Sequence, residues 1–118
     1  MQNIEDTEVL IIQFYKWWNQ DPSVDRNCIL SPNIMWDQGL PGMKDEDVVW
    51  LVEQKLAWED FRIVDSIVAG EKAAMVVEGM DPITNLYHRV SWLFEIEDNL
   101  IVRILETVST LDKVGIWA

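Results

Sequence analysis

The hydrophobic pattern of this chain changes period once, near Trp58, and that change limits the folds open to it. Before it, apolar residues recur at helical spacing. Leu10, Ile11, Phe14 and Trp18 fall on one face at roughly 100° per residue, behind Asn3 as a cap and an acidic first turn. Asn19-Gln20-Asp21-Pro22 ends that helix. Ser23 to Leu30 reads as a short second helix, and Asn33 to Asp37 as an extended segment closing in the turn Gly39-Leu40-Pro41-Gly42. A third helix, Asp45 to Trp58, places Val48, Val49, Val52 and Leu56 together, with Trp50 on another side.

Beyond Trp58 the alternation is that of strands. Phe61 to Ala69 and Ala73 to Gly79 flank Gly70-Glu71-Lys72, and Leu86 to Ile96 and Leu100 to Leu111 flank Asp98-Asn99, where Asn tolerates the left-handed conformation. Three N-terminal helices followed by a meander predict an α+β fold, with a mostly antiparallel sheet curled over the helices. Residues 1 to 118 suit a single domain, since 49% hydrophobic content can bury a core without disulfides or metals.

A formal net charge of -12 disfavours nucleic acid and anionic lipid as partners. The longest apolar run, Val9 to Ile12, is too short to span a membrane, and the acidic first residues lack the basic stretch of a secretion signal. A cytoplasmic location is the expectation. Cys28 has no partner for a disulfide or a zinc site and reads as a small buried hydrophobe.

Ionisable groups set among apolar ones mark the candidate site. Asp37 follows Ile34-Met35-Trp36 and is either a pocket acid/base or a turn-capping residue. With a plain two-residue turn at Asp98-Asn99, Glu106 faces Ser91 and lies diagonal to Arg89. These three then form a polar patch or an exposed ion pair. His88, the only histidine, alternates with Val90, Trp92 and Phe94, unless a β-bulge reverses that assignment. Trp18, Trp36 and Trp92 are candidates for a cavity wall or for the core, whereas Trp17, Trp50 and Trp117 read as rim or interface. No phosphate loop or metal-ligand cluster is apparent, and Asp45-Glu46-Asp47 reads as a helix start.

The element order, with the ending Trp92-Leu93-Phe94-Glu95-Ile96-Glu97-Asp98-Asn99-Leu100-Ile101-Val102-Arg103-Ile104-Leu105-Glu106, resembles the nuclear-transport-factor-2-like superfamily. Within it, the chain is most similar to the SnoaL-like polyketide cyclase and ketosteroid isomerase group. Asn99 stands where that group usually has Gly, and Thr107 where it usually has an aromatic. The resemblance implies a cone-shaped fold with a strongly bent sheet, an apolar cavity at its open end and frequent homodimers. It also implies candidate roles. Tyr15 matches the isomerase tyrosine that polarises a carbonyl, Asp37 the aspartate that moves the proton, and Glu106 a carboxylate used by SnoaL-like cyclases and limonene epoxide hydrolases. The isomerase's second acid, expected near Ser91 to Leu93, is absent, and Glu78-Gly79-Met80 does not supply the hydrolase's Arg-x-Asp.

Two functions follow as expectations. One is cofactor-independent acid/base catalysis on a small, mostly apolar, carbonyl-bearing molecule. Asp37 or Glu106 would move the proton and Tyr15 or His88 donate a hydrogen bond, with Trp18, Trp36, Arg89, Ser91 and Trp92 contacting the ligand. The other is a noncatalytic, dimeric binding module of the same fold.

Overall fold

Asn3 starts the first helix by accepting the backbone N–H of Glu5 (2.7 Å) and of Asp6 (3.4 Å), two donors that a first turn leaves unpaired. In the computed structural model, which describes residues 2–38 and 43–111, this helix, α1, spans Ile4–Trp18. Its acidic first turn and Lys16 in the last turn both complement the helix dipole. Leu10, Ile11, Phe14 and Trp18 are buried as their spacing predicts. Trp17, expected at a rim, is buried too, because the rings of Phe14 and Trp36 lie 5.7 and 6.2 Å from it.

The expected second helix reduces to one 3-10 turn, Arg26–Cys28. Local side chains compete with helical bonding here. Asp21 takes the backbone N–H and hydroxyl of Ser23, and Asp25 takes the N–H of Asn27. Cys28 is exposed, a correction to its expected burial.

The next helix, α2, spans Asp45–Gln54 and buries Val48, Val49 and Val52. It stops short of Trp58 because the end of α1 claims its C-terminus. The Gln20 amide donates to the Val52 carbonyl (2.6 Å), while Asn19 bonds Trp58 through both its carbonyl and its N–H. Lys55 is therefore extended, and Leu56 is left exposed.

Strands β1 (Leu30–Asp37), β2 (Glu59–Val68), β3 (Lys72–Asp81), β4 (Leu86–Glu97) and β5 (Leu100–Leu111) form one sheet in the order β1-β5-β4-β3-β2. The last four are antiparallel neighbours, as expected, but β1 runs parallel to β5 and makes the sheet mixed. Gly70 (φ 72°) turns the first hairpin, and Asp98 and Asn99 (φ 52° and 59°) turn the second in the doubly left-handed form that matches strand twist. The Thr7 hydroxyl donates to the Gly70 carbonyl (2.6 Å), tying α1 to the β2–β3 turn. The Gly39-Leu40-Pro41-Gly42 turn and Trp117 lie outside the described residues.

The sheet curves over the helices, and aromatic rings fill the space beneath it. Phe14 lies at the centre, with the centroids of Trp17, Trp36, Trp92 and Phe94 4.8–5.7 Å away. The two edge-to-face pairs, Phe14 with Trp92 and with Phe94, add about 1 kcal/mol each to the burial of the rings. No helix among the described residues is long and apolar enough to cross a membrane.

Candidate functional site

One extra residue in β5 decides which carboxylate faces the helices. Next to the turn, Glu97 pairs with Leu100 and Ile96 with Ile101, the register of a plain hairpin; then Glu95 pairs with Arg103, leaving Val102 unmatched. This is a β-bulge, and because side chains alternate faces it exchanges the two faces of β5 beyond it relative to β4. Glu106 consequently pairs with Trp92 on the inner face, not with Ser91 as expected. Ser91 pairs with Thr107 and Arg89 with Ser109, on the outer face.

Glu106 stands half-buried at the edge of the aromatic cluster, where its Oε1 accepts the indole N–H of Trp92 at 2.7 Å. Burial raises its pKa above the ordinary carboxylate value; hydrogen-bonding from Trp92 and Gln38 and the charge of Lys55 act in the opposite direction. The Trp36 Nε1 is buried and closes no hydrogen bond of normal geometry among the described residues. Lys55 lies across this site from the carboxyl. Its Nζ sits 3.8 Å over the ring of Trp18 and 5.6 Å from that of Trp58, and donates to the Leu56 carbonyl at 3.3 Å. Burial lowers its pKa to about 8 against the charges of Asp81 and Glu106, which favour the ammonium.

The structure brings Glu106, Trp18, Trp36 and Trp92 to one cluster, keeps His88 on the same inner face, and distributes Tyr15, Asp37, Arg89 and Ser91 elsewhere. Trp36 and Trp92 are packed in the core against Phe14, and Trp18 packs against Trp92 at 5.4 Å. His88 keeps to the inner face with Trp92; its ring lies 5.3 Å from Trp58, and its Nδ1 is 3.2 Å from the Thr110 hydroxyl. Tyr15 stacks on Phe61 (4.7 Å) and donates its hydroxyl to the Phe61 carbonyl at 2.7 Å, and burial raises its pKa. Asp37 is exposed at the end of β1, one residue past the buried Trp36, and it is Gln38 beyond it that reaches the Glu106 carboxyl. Arg89 bonds Glu78 on the outer face through Nε at 2.7 Å and through a second, shorter contact, so the expected patch with Glu106 does not form.

Lys55, Gln38 and Trp58 were not singled out from the sequence. Lys55 reads as the polar tail of a helix, and only the early end of α2 turns it over Trp18. Gly79 helps to seat Trp58. A methyl group there would lie 2.9 Å from the Phe61 ring and 3.2 Å from the Trp58 indole, so the bare backbone lets both rings lie on β3 beside His88. Two open grooves run along β1. One of about 680 Å³ lies between Leu30, Ile34 and Val49, away from Glu106; the other, of about 360 Å³, passes Trp36, Asp37 and Gln38.

The fold is the nuclear-transport-factor-2-like fold, shared with structures that differ widely in sequence. A candidate ketosteroid isomerase from Kribbella flavida superposes with a TM-score of 0.75 at 13% identity, over 97% of this chain and 85% of that one. An NTF2-like protein of unknown function from Mesorhizobium loti gives 0.68 at 18% identity, over 90% and 93%. An epoxide hydrolase of the LEH-like type from M. tuberculosis gives 0.68 at 12% identity, over 90% and 84%. No family model matches the sequence, and no curated protein matches it.

Proposed function

We propose that the protein binds a small, mostly apolar, carbonyl-bearing molecule at the rim of its aromatic cluster, and that Glu106 transfers a proton there without a cofactor. The observation that carries this is the placement of Glu106: a half-buried carboxyl, oriented by the Trp92 N–H and biased toward its protonated form, at the edge of an aromatic cluster whose Trp58 is only half-buried. Of the proton-transfer candidates, geometry favours Glu106 over Asp37, which is exposed, and over Tyr15, whose hydroxyl is engaged by Phe61. His88, on the same face, is the candidate second donor. Likeness to an isomerase candidate and an epoxide hydrolase is consistent with small-molecule chemistry on this fold. The test is a screen of apolar ketones, enones and epoxides for turnover, followed by pH-rate profiles. Glu106→Gln should lower kcat/KM by about 100-fold or more and remove the limb that reports a carboxyl group. An unchanged profile overturns the assignment.

The filled interior favours a second reading, a noncatalytic binding module acting as a cytoplasmic homodimer. Met35, Ile67 and Leu93 stand exposed and suit a self-contact through the sheet. Sedimentation equilibrium that finds only 13.8 kDa particles at micromolar concentration removes the dimer. Turnover that depends on Glu106 removes the noncatalytic reading.

A further inference from the structure

An amine and a carboxyl group stand against adjoining rings of the aromatic cluster, Lys55 over Trp18 and Glu106 on Trp92, and the proton-transfer function proposed above uses only the carboxyl. Lys55 is held there by the early end of α2, its Nζ over Trp18, beside Trp58 and donating to the Leu56 carbonyl. Its charge and that of Glu106 act on each other, and Glu106 is fixed in turn by the Trp92 N–H. We propose that Lys55 is an amine nucleophile that condenses with the carbonyl of an apolar aldehyde or ketone at this rim, forming an imine whose completion Glu106 assists. This rests on the site being a carbonyl-binding rim, and adds a covalent step to it.

The chemistry balances with these two groups and water. The neutral Nζ attacks the carbonyl carbon; a C–N bond forms as the C=O π pair moves to oxygen. The new ammonium gives a proton to the Glu106 carboxylate, the carboxylic acid passes it to the oxygen to leave a neutral carbinolamine, and one proton from solvent then restores the acid. Protonated Glu106 then donates to the hydroxyl group, the C–O bond breaks, water departs, and the nitrogen lone pair forms the C=N bond of a protonated imine. The net reaction joins one neutral amine, one carbonyl and one proton into an iminium ion and one water. No oxidant or reductant is consumed.

The site favours the attacking form. With a pKa of about 8, roughly a tenth of Lys55 is neutral at pH 7, against about one molecule in 2,500 for an ordinary lysine. Trp58, which is only half-buried, then supplies contact for the apolar part of the captured aldehyde. Lys16, Lys44, Lys72 and Lys113 provide internal controls for reactivity in the same chain.

The experiment incubates the whole chain with limiting 2-naphthaldehyde and cyanoborohydride at pH 7 and maps the reduced adduct by peptide mass spectrometry. Tryptophan fluorescence measures binding of the aldehyde and of 2-naphthalenemethanol, which has the same ring but no carbonyl. Labelling of Lys55 should exceed that of each other lysine by about ten-fold or more. Lys55→Arg, which keeps a cation over Trp18, should bind the alcohol and lose the adduct, and Glu106→Gln should bind it and form the adduct about ten-fold or more slowly. If both compounds bind and labelling is spread evenly over the lysines, the imine is overturned and the binding rim stands. If neither compound binds and Lys55 is not labelled, the binding rim falls and the imine with it.

Discussion

Two glutamates on opposite faces of one sheet meet burial in different ways. Glu78, on the outer face of β3, is the more enclosed, at 4% exposure, and is bonded by Arg62 at 2.9 Å and by Arg89 at 2.7 Å. Glu106, on the inner face of β5, has neutral hydrogen-bond donors in Trp92 and Gln38, and the cation that acts on it is Lys55, whose own charge is disfavoured by burial. The first carboxylate is compensated by two guanidinium groups that hold their charge at any ordinary pH. The second is under-compensated, so burial holds its pKa above the ordinary carboxylate value. The difference teaches that depth alone does not mark a reactive carboxyl; what matters is whether fixed charge answers it.

Replacing Glu78 tests the compensated side and should have the largest effect. Glu78→Ala leaves Arg89 on a partly covered face without its carboxylate and should lower stability by about 3–5 kcal/mol in urea unfolding. A loss below about 1 kcal/mol would show that the pair is solvated, and the contrast with Glu106 would then collapse. Gly79→Ala comes next, since its methyl group meets Phe61 and Trp58. It should cost about 1–3 kcal/mol and shift the tryptophan fluorescence, while Glu78 keeps its arginines.

Glu106→Gln sharpens the other side with a smaller change of opposite sign. Because the folded state raises the pKa of Glu106, it binds more protons than the unfolded state between the ordinary carboxylate value and the raised one. Wild-type stability therefore falls across that window as pH rises and stays lowered above it. The amide that replaces the carboxyl does not titrate. The variant should match wild type below the ordinary carboxylate range and be the more stable of the two at pH 8, with a higher Tm there. A stability difference independent of pH would show that the folded site does not bias the Glu106 proton.

Much of the fold was legible from periodicity and turn residues. The α1 face, the Gly70 turn, the Asp98-Asn99 turn and the β5 boundaries follow from local chemistry that the structure reproduces. The short second helix failed because Asp21 and Asp25 bond neighbouring backbone, and α2 ended early because Gln20 and Asn19 reach it from elsewhere in the chain. Such long-range caps leave no periodic signal. The site was half legible. Glu106 and three tryptophans were found from residue type and order, but their grouping depends on the unmatched Val102, and no motif marks a bulge there. Asp37 drew notice because its neighbours are apolar, yet in a strand a neighbour in sequence belongs to the other face.

The unmatched Val102 makes the chemistry of β5 a matter of parity. Exchanging one side chain for another along this strand changes what is presented at one point, while removing a single residue before Arg103 would restore the plain register and send Ile104 and Glu106 outward together, with Arg103 and Leu105 turned in. The inner surface is thus tolerant of spelling and intolerant of counting. Among chains of this shape, a strand one residue shorter would present a different set of groups to the helices even if every letter beyond the gap were the same.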